Sequence, residues 1–195
     1  MKTPVQHHQE REWKYSLPTR AEFQRLLDFL GPQAPLLRQT NHYWLPALPL
    51  RSVLRLRLED GRHLLTLKGP SQRQGALFTR GEAQVELPGA VALDLLGGCL
   101  EGVRGSLEAL GVSAPLTYVG SLVNERRVWL REGFEIALDE SFFPRGPQLE
   151  IEFEQLSEDS DPALPAALLA ACGVEPLPSL RGKFSRLKEE LGSSR

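Results

Sequence analysis

Val53-Leu54-Arg55-Leu56-Arg57-Leu58-Glu59-Asp60-Gly61 decides how this chain folds. Successive side chains of a strand point to opposite faces, so Leu54, Leu56 and Leu58 share one face and Arg55 and Arg57 the other. Asp60-Gly61 is a strong tight-turn dipeptide, and residues 64–68 read as the returning strand of a hairpin. The same alternation recurs outward in both directions. It appears at 80–87, where Glu82, Gln84 and Glu86 oppose Ala83, Val85 and Leu87, and at 120–130, where Asn124 and Arg126 share a face. Residues 134–139 pair with 148–154 across the turn-rich 143–147. In that second strand Glu150, Glu152 and Glu154 oppose Leu149, Ile151 and Phe153. With 9–17 and 39–44, about eight strands are expected, mostly joined in sequence.

Helices are fewer. Thr19-Arg20-Ala21-Glu22 is a capping box, followed by Phe23, Leu26, Leu27 and Leu30 at helical spacing and closed by Gly31-Pro32. Residues 91–110 predict two short helices broken near Gly97-Gly98. Asp161-Pro162 predicts the start of another through 171, and the last spans about 182–191. The 69–76 segment, rich in Ser, Gln and Gly, is expected to be a flexible hairpin loop. Many antiparallel strands with few helices give an α+β class, a barrel or strongly curved sheet. The 195 residues are expected to form one domain, 1–195.

Composition narrows the function. With 23 basic and 25 acidic residues the formal charge is −2, which argues against a generic nucleic-acid or acidic-membrane binder. The two cysteines, Cys99 and Cys172, stand far apart and read as reduced thiols. The polar N-terminus predicts no signal peptide, and no apolar run approaches a membrane span. A cytoplasmic protein is expected, a monomer or homodimer. No His-Glu-x-x-His, Cys-x-x-Cys or Walker loop is present. His7-His8 is expected to be solvated, and Trp13, Trp44 and Trp129 are expected as core or barrel-face residues.

The polar faces of the strands are almost uniformly ionic. They carry Glu10, Glu12 and Lys14; Arg55 and Arg57; Lys68; Arg80, Glu82 and Glu86; Arg126; Asp139; and Glu150, Glu152 and Glu154. One charged alternating strand is usually a solvated face. A closed barrel with these faces inward would instead desolvate the ions, and each then needs a partner or ligand. Such an interior implies a polyanion held by the bases and cations held by the acids.

Glu10-Arg11-Glu12-Trp13-Lys14 places two carboxylates and an ammonium on one strand face. It is followed in order by Arg55-Leu56-Arg57, Thr66-Leu67-Lys68, Leu138-Asp139-Glu140, Glu150-Ile151-Glu152 and Gly182-Lys183-Phe184. This ordered set resembles the CYTH family, the triphosphate tunnel metalloenzymes, over nearly the whole chain. The resemblance implies an eight-stranded antiparallel β-barrel forming a tunnel, with helices packed outside, that binds a linear triphosphate and one or two Mg²⁺ or Mn²⁺ ions. It implies a triphosphate clamp of Lys14, Arg55, Arg57, Lys68, Arg126 and Lys183, with Arg80 beside it. It implies a metal face of Glu10, Glu12, Glu82, Asp139, Glu150 and Glu152, with Lys14, Glu150 and Glu152 as catalytic residues and Glu150 or Glu152 as the base. The family's Tyr-x-Asp-Thr-Pro strand is here Tyr43-Trp44-Leu45-Pro46, without the aspartate, and Gln84 stands where a second glutamate is usual.

The implied activity is metal-dependent hydrolysis of inorganic triphosphate or a small organic one, such as thiamine triphosphate or a nucleotide. Class IV adenylyl cyclase chemistry is the alternative on the same scaffold, and a triphosphate- or polyphosphate-binding module without turnover is the third. The implied partner is a small-molecule triphosphate, with no nucleic acid and no membrane.

Overall fold

The structure is a computed structural model that describes residues 4–31, 34–48, 51–113 and 115–192. The elements run β1 (Gln6–Leu17), α1 (Arg20–Leu30), β2 (Leu37–Pro46), β3 (Val53–Glu59), β4 (Arg62–Lys68), β5 (Gln72–Gln74), β6 (Leu77–Glu86), α2 (Gly89–Leu96), α3 (Arg104–Ala109), β7 (Leu116–Arg131), β8 (Phe134–Phe143), β9 (Gly146–Gln155), α4 (Leu164–Ala171), β10 (Leu177–Pro178) and α5 (Lys183–Gly192). The strand order is β10-β1-β9-β8-β7-β2-β3-β4-β6-β5, and an additional β1–β6 pairing returns the order to its start. Eight strands therefore close into an antiparallel barrel, with β5 and β10 as short flanking strands.

The decisive hairpin forms as its sequence dictates. Asp60 (φ 46°) and Gly61 (φ 76°) both take left-handed conformations, the requirement of a type I′ turn. The turn sets the register Glu59↔Arg62, Arg57↔Leu64 and Arg55↔Thr66. Glu132 (φ 49°) and Gly133 (φ 78°) make the same kind of turn between β7 and β8, where Arg131 faces Phe134. The next hairpin brings Asp139 opposite Glu150 and Ala137 opposite Glu152.

The chain divides into two compact units. The first comprises Met1–Gln9, Gln39–Ser71 and Arg80–Leu122, and the second Glu10–Arg38, Gln72–Thr79 and Val123–Arg195. In the first unit Leu54, Leu56 and Leu65 are fully buried against Ala92 and Leu95 of α2 and Leu107 of α3, with Trp44, Ala83 and Val85 in the same cluster. In the second, Trp13, Tyr15, Phe134, Ile136, Ile151 and Phe153 pack against Leu26 and Leu30 of α1 and Leu168 and Leu169 of α4. Each buried leucine or phenylalanine contributes about 1.5–3 kcal/mol, so the apolar faces of the strands drive this packing. Trp129 borders the second core and donates its indole N–H to the Gly31 carbonyl at 3.1 Å.

α1 carries its full capping box: Glu22 N–H donates to Thr19 Oγ1 at 3.2 Å and Thr19 N–H to Glu22 Oε2 at 3.0 Å. Three expectations are corrected. The 69–76 segment is not all loop, because β5 pairs with β6 through Gln72↔Thr79 and Arg73↔Phe78. α4 begins at Leu164 rather than at Asp161-Pro162, since Asp161 caps a preceding turn by accepting from the Ala163 N–H at 2.8 Å. β10 was not expected; two residues are too few to show alternation, yet they pair with Tyr15 and Ser16.

Candidate active site

Register builds the charged cluster of the second unit. Across β1 and β9, Lys14 lies opposite Glu152 and Ser16 opposite Glu150; across β7 and β8, Arg126 lies opposite Asp139 and Asn124 opposite Ser141. Pairing and alternation therefore put all these side chains on the face turned from the apolar core. Glu10, Glu12, Lys14, Asp139, Glu150 and Glu152 are all buried, Asp139 completely and Glu150 to within 1%.

Buried ions need partners, and here they have one another. Lys14 Nζ lies 2.8 Å from Glu12 Oε1 and 3.0 Å from Glu152 Oε1. Arg126 grips Asp139 through two bonds, of 2.7 Å from Nε and 2.6 Å from Nη2, and also pairs with Glu152. Lys183, the first residue of α5, reaches Glu152 at 2.6 Å, Asp139 at 2.8 Å and Glu150 at 3.4 Å. Asn124 Nδ2 donates to Asp139 at 3.1 Å, and its own Oδ1 accepts from Ser141 at 2.7 Å. Glu150 accepts from Ser179 at 2.9 Å and pairs with Arg186.

The protonation states follow. Burial opposes ionisation of Glu152, but Lys14, Lys183 and Arg126 overcome it and hold its carboxyl well below the usual range. Burial likewise opposes the Asp139 carboxylate, and Arg126 and Lys183 bring it below its ordinary value. Burial would discharge Lys183, yet Asp139, Glu152 and Glu150 raise it above its ordinary value. Arg126, desolvated but facing Asp139 and Glu152, is raised well above its own. Asp139 and Glu152 are thus held as carboxylates, and Lys183 and Arg126 as cations, at neutral pH.

The first unit gathers the other bases. Lys68 pairs with Glu82, which also accepts from Arg80 Nε at 3.1 Å and has His8 Nε2 at 3.8 Å. Arg57 Nε donates to Asn41 Oδ1 at 3.0 Å, a neutral acceptor. Arg55 Nε is buried with no hydrogen-bond partner among the described residues. Gln84 accepts from Thr66 Oγ1 at 3.0 Å, and Gln39, Asn41 and Tyr43 are buried along β2.

The expected site residues therefore fall into two sets. Glu10, Glu12, Lys14, Arg126, Asp139, Glu150, Glu152 and Lys183 belong to the second unit; Arg55, Arg57, Lys68, Arg80 and Glu82 belong to the first. Among the described residues no group of three or more His, Cys, Asp or Glu is arranged to hold a metal ion, because cations lie between the carboxylates. Sequence reasoning missed Arg186 and Ser179 as partners of Glu150. Arg186 was findable, standing three residues after Lys183 and so on the same helical face. Ser179 follows the two-residue β10 and carries no periodic signal. Trp44 packs in the core, with Tyr118 5.2 Å away between ring centroids.

An eight-stranded antiparallel barrel with buried polar faces rich in paired acids and bases defines a class of protein suited to holding polyanions. The chain belongs to the CYTH domain family, whose model matches residues 8–171; triphosphatases and cyclases are among that family's members. A search of curated proteins gives no match. The chain is similar to a Hippeastrum protein described as an adenylyl cyclase candidate with a dominant triphosphatase activity, at 24% identity and TM-score 0.78, covering 92% of this chain and 95% of that one. It is similar to a candidate adenylate cyclase of Bacillus halodurans at 25% identity and TM-score 0.73, covering 92% and 97%. A Pyrococcus horikoshii OT3 protein shares the fold at 22% identity and TM-score 0.59, covering 92% and 99%. No helix among the described residues is long and apolar enough to cross a membrane.

Proposed function

We propose that this chain is a divalent-metal-dependent triphosphatase that hydrolyses inorganic triphosphate or a small organic triphosphate. The observation that carries the reading is Arg55, whose buried Nε has no hydrogen-bond partner among the described residues. Buried donors are normally satisfied. A guanidinium nitrogen short of an acceptor suits an anion, and arginine forks match phosphate oxygens.

In this reading Arg55, Arg57, Lys68, Arg80, Lys14, Arg126 and Lys183 neutralise and orient the triphosphate. Glu10, Glu12, Glu82, Asp139, Glu150 and Glu152 are the candidate metal ligands. Their carboxylate oxygens fit a hard cation such as Mg²⁺ or Mn²⁺, which takes oxygen donors and keeps several waters. Bound there, the metal would supply charge neutralisation on the phosphate oxygens.

Phosphoryl transfer is mostly positioning and electrostatics. When phosphate draws off Lys14, Lys183 and Arg126, Glu152 loses the partners that depress its basicity and gains the capacity to take a proton. Water attacks the terminal phosphorus, its proton passes to Glu152 or Glu150, and the bond to the bridging oxygen breaks as diphosphate, free or esterified, departs. The protein would act in the cytoplasm, as a monomer or homodimer, on a free small molecule rather than on nucleic acid or membrane. The second reading is class IV adenylyl cyclase chemistry, favoured by the description of the Bacillus halodurans neighbour.

The test is phosphate release from tripolyphosphate, thiamine triphosphate and ATP with Mg²⁺, Mn²⁺ or EDTA, while cyclic AMP is tracked. EDTA-sensitive phosphate release is expected. Cyclic AMP with diphosphate would replace the hydrolase by the cyclase, and triphosphate binding with no turnover on any substrate would leave a binding module.

A further inference from the structure

Glu150 is held differently from Glu152. Its Oε1 accepts from Ser179 Oγ at 2.9 Å, and that hydroxyl lies 3.0 Å from Ser16 Oγ. Its Oε2 pairs with Arg186 and has Lys183 Nζ at 3.4 Å. Arg186 in turn donates to Gln148 Oε1 at 2.6 Å and lies 4.9 Å from the Phe143 ring centroid. Its Nε is buried without a hydrogen-bond partner among the described residues, where the one ionic contact of the guanidinium is its pairing with Glu150. α5 has other moorings: Leu187 is buried, and Glu190 accepts from Arg145 N–H and Gln148 Nε2, each at 2.9 Å. Arg186 is therefore not needed merely to dock the helix.

We propose that Arg186 is an internal counter-cation: it occupies Glu150 in the metal-free protein and competes with the divalent metal for that carboxylate. The inference rests on the metal-dependent reading above. A cation in contact with Oε2 takes the lone pairs a metal needs and repels the metal's charge. It accounts for part of the charge balance among acids so close together: Lys14 and Arg126 face Glu12, Asp139 and Glu152, and α5 supplies the cations that face Glu150. Lys183, one turn earlier, is withdrawn when a triphosphate claims it, which weakens the remaining opposition to the metal. Metal uptake is accordingly coupled to the polyanion.

The experiment is a calorimetric Mn²⁺ titration of the EDTA-stripped full chain, as wild type, Arg186→Met and Arg186→Lys, with and without non-hydrolysable imidotriphosphate. Without the polyanion, Arg186→Met should bind Mn²⁺ about tenfold tighter than wild type or more, the scale of one charge-assisted bond removed from the competition. Arg186→Lys, which keeps a cation, should stay within about threefold of wild type. Imidotriphosphate should tighten Mn²⁺ binding strongly in wild type and less in Arg186→Met. Unchanged or weaker Mn²⁺ binding by Arg186→Met overturns the proposal, the weaker case meaning that Arg186 only orients Glu150. If wild type hydrolyses tripolyphosphate with metal yet the Arg186 variants bind Mn²⁺ alike, this inference alone falls. If wild type neither binds Mn²⁺ nor hydrolyses, the metal-dependent reading falls with it.

Discussion

Replacing Glu152 by glutamine keeps the shape and removes the charge on which Lys14, Lys183 and Arg126 converge. Breaking a buried pair by neutralising one partner costs about 3–5 kcal/mol. The lower end applies, because the amide oxygen still accepts one bond and Asp139, Glu12 and Glu150 remain to hold the cations. For a chain of this size about 3 kcal/mol lowers Tm by roughly 6–12 °C. The three bereaved cations then suit a polyanion, so tripolyphosphate should restore more Tm in Glu152→Gln than in wild type. Turnover should fall by about 10²–10⁴, the range for loss of a general base. Differential scanning fluorimetry in EDTA, with and without tripolyphosphate, and a phosphate-release assay read the three quantities. A variant within about 2 °C of wild type that turns over normally would refute both the buried network and the role given to Glu152.

Arg55→Met removes an unsatisfied donor rather than a bonded one, so Tm should stay near the wild-type value while tripolyphosphate affinity drops about 10-fold or more; intact affinity, by calorimetry, would put the clamp elsewhere. In EDTA, Asp139 and Glu152, both held below their ordinary values, contribute stability that is full above about pH 4–5 and is lost as pH falls through their folded values. Lys183, raised above its ordinary value, contributes stability below about pH 10 that is lost as pH rises further. Urea midpoints against pH should therefore show a broad plateau with an acid limb, and Asp139→Asn should be less stable on the plateau with a shallower acid limb. Gly133→Ala would press a Cβ against Ser160 Oγ at φ 78°, so it should cost about 1–3 kcal/mol; an unchanged urea midpoint would contradict the turn geometry.

Alternation was enough to read most of this fold because each strand buries one face and most pair with a neighbour in sequence or close to it, β1 excepted. Arg55 and Arg57 against Leu54 and Leu56 could be assigned to faces before any register was known, and the Asp60-Gly61 turn then gave the register. Elements whose existence depends on a partner were illegible. β5 and β10 are three and two residues long and exist only because β6 and β1 offer free edges. α4 shows a competition between local signals, since Asp161 spends its side chain on a turn and the helix starts beyond it. The site was legible by residue type and not by partner: Glu150 and Glu152 have the same spacing and chemistry in sequence, yet one answers to Ser179 and Arg186 and the other to Lys14, Lys183 and Arg126.

That difference in partners separates two kinds of base. In the first unit Arg55, Arg57, Lys68 and Arg80 accompany the carboxylates of Glu82 and, at the far end of β3, Glu59, which accepts from Gln39. In the second unit Lys14, Arg126, Lys183 and Arg186 accompany Glu10, Glu12, Asp139, Glu150 and Glu152. An anion meeting Arg55 gains attraction at a nitrogen with no hydrogen bond to break among the described residues, whereas Lys68 and the second set yield a cation only as an existing ion pair is exchanged. Arg55 should therefore act on triphosphate affinity almost alone. A base of the second kind is bound into the fold and should act on affinity and stability together, because its removal strands a buried carboxylate. On the metal-dependent reading, exchange of those pairs would also tie the anion to the metal, because each cation drawn to phosphate would leave a carboxylate oxygen open.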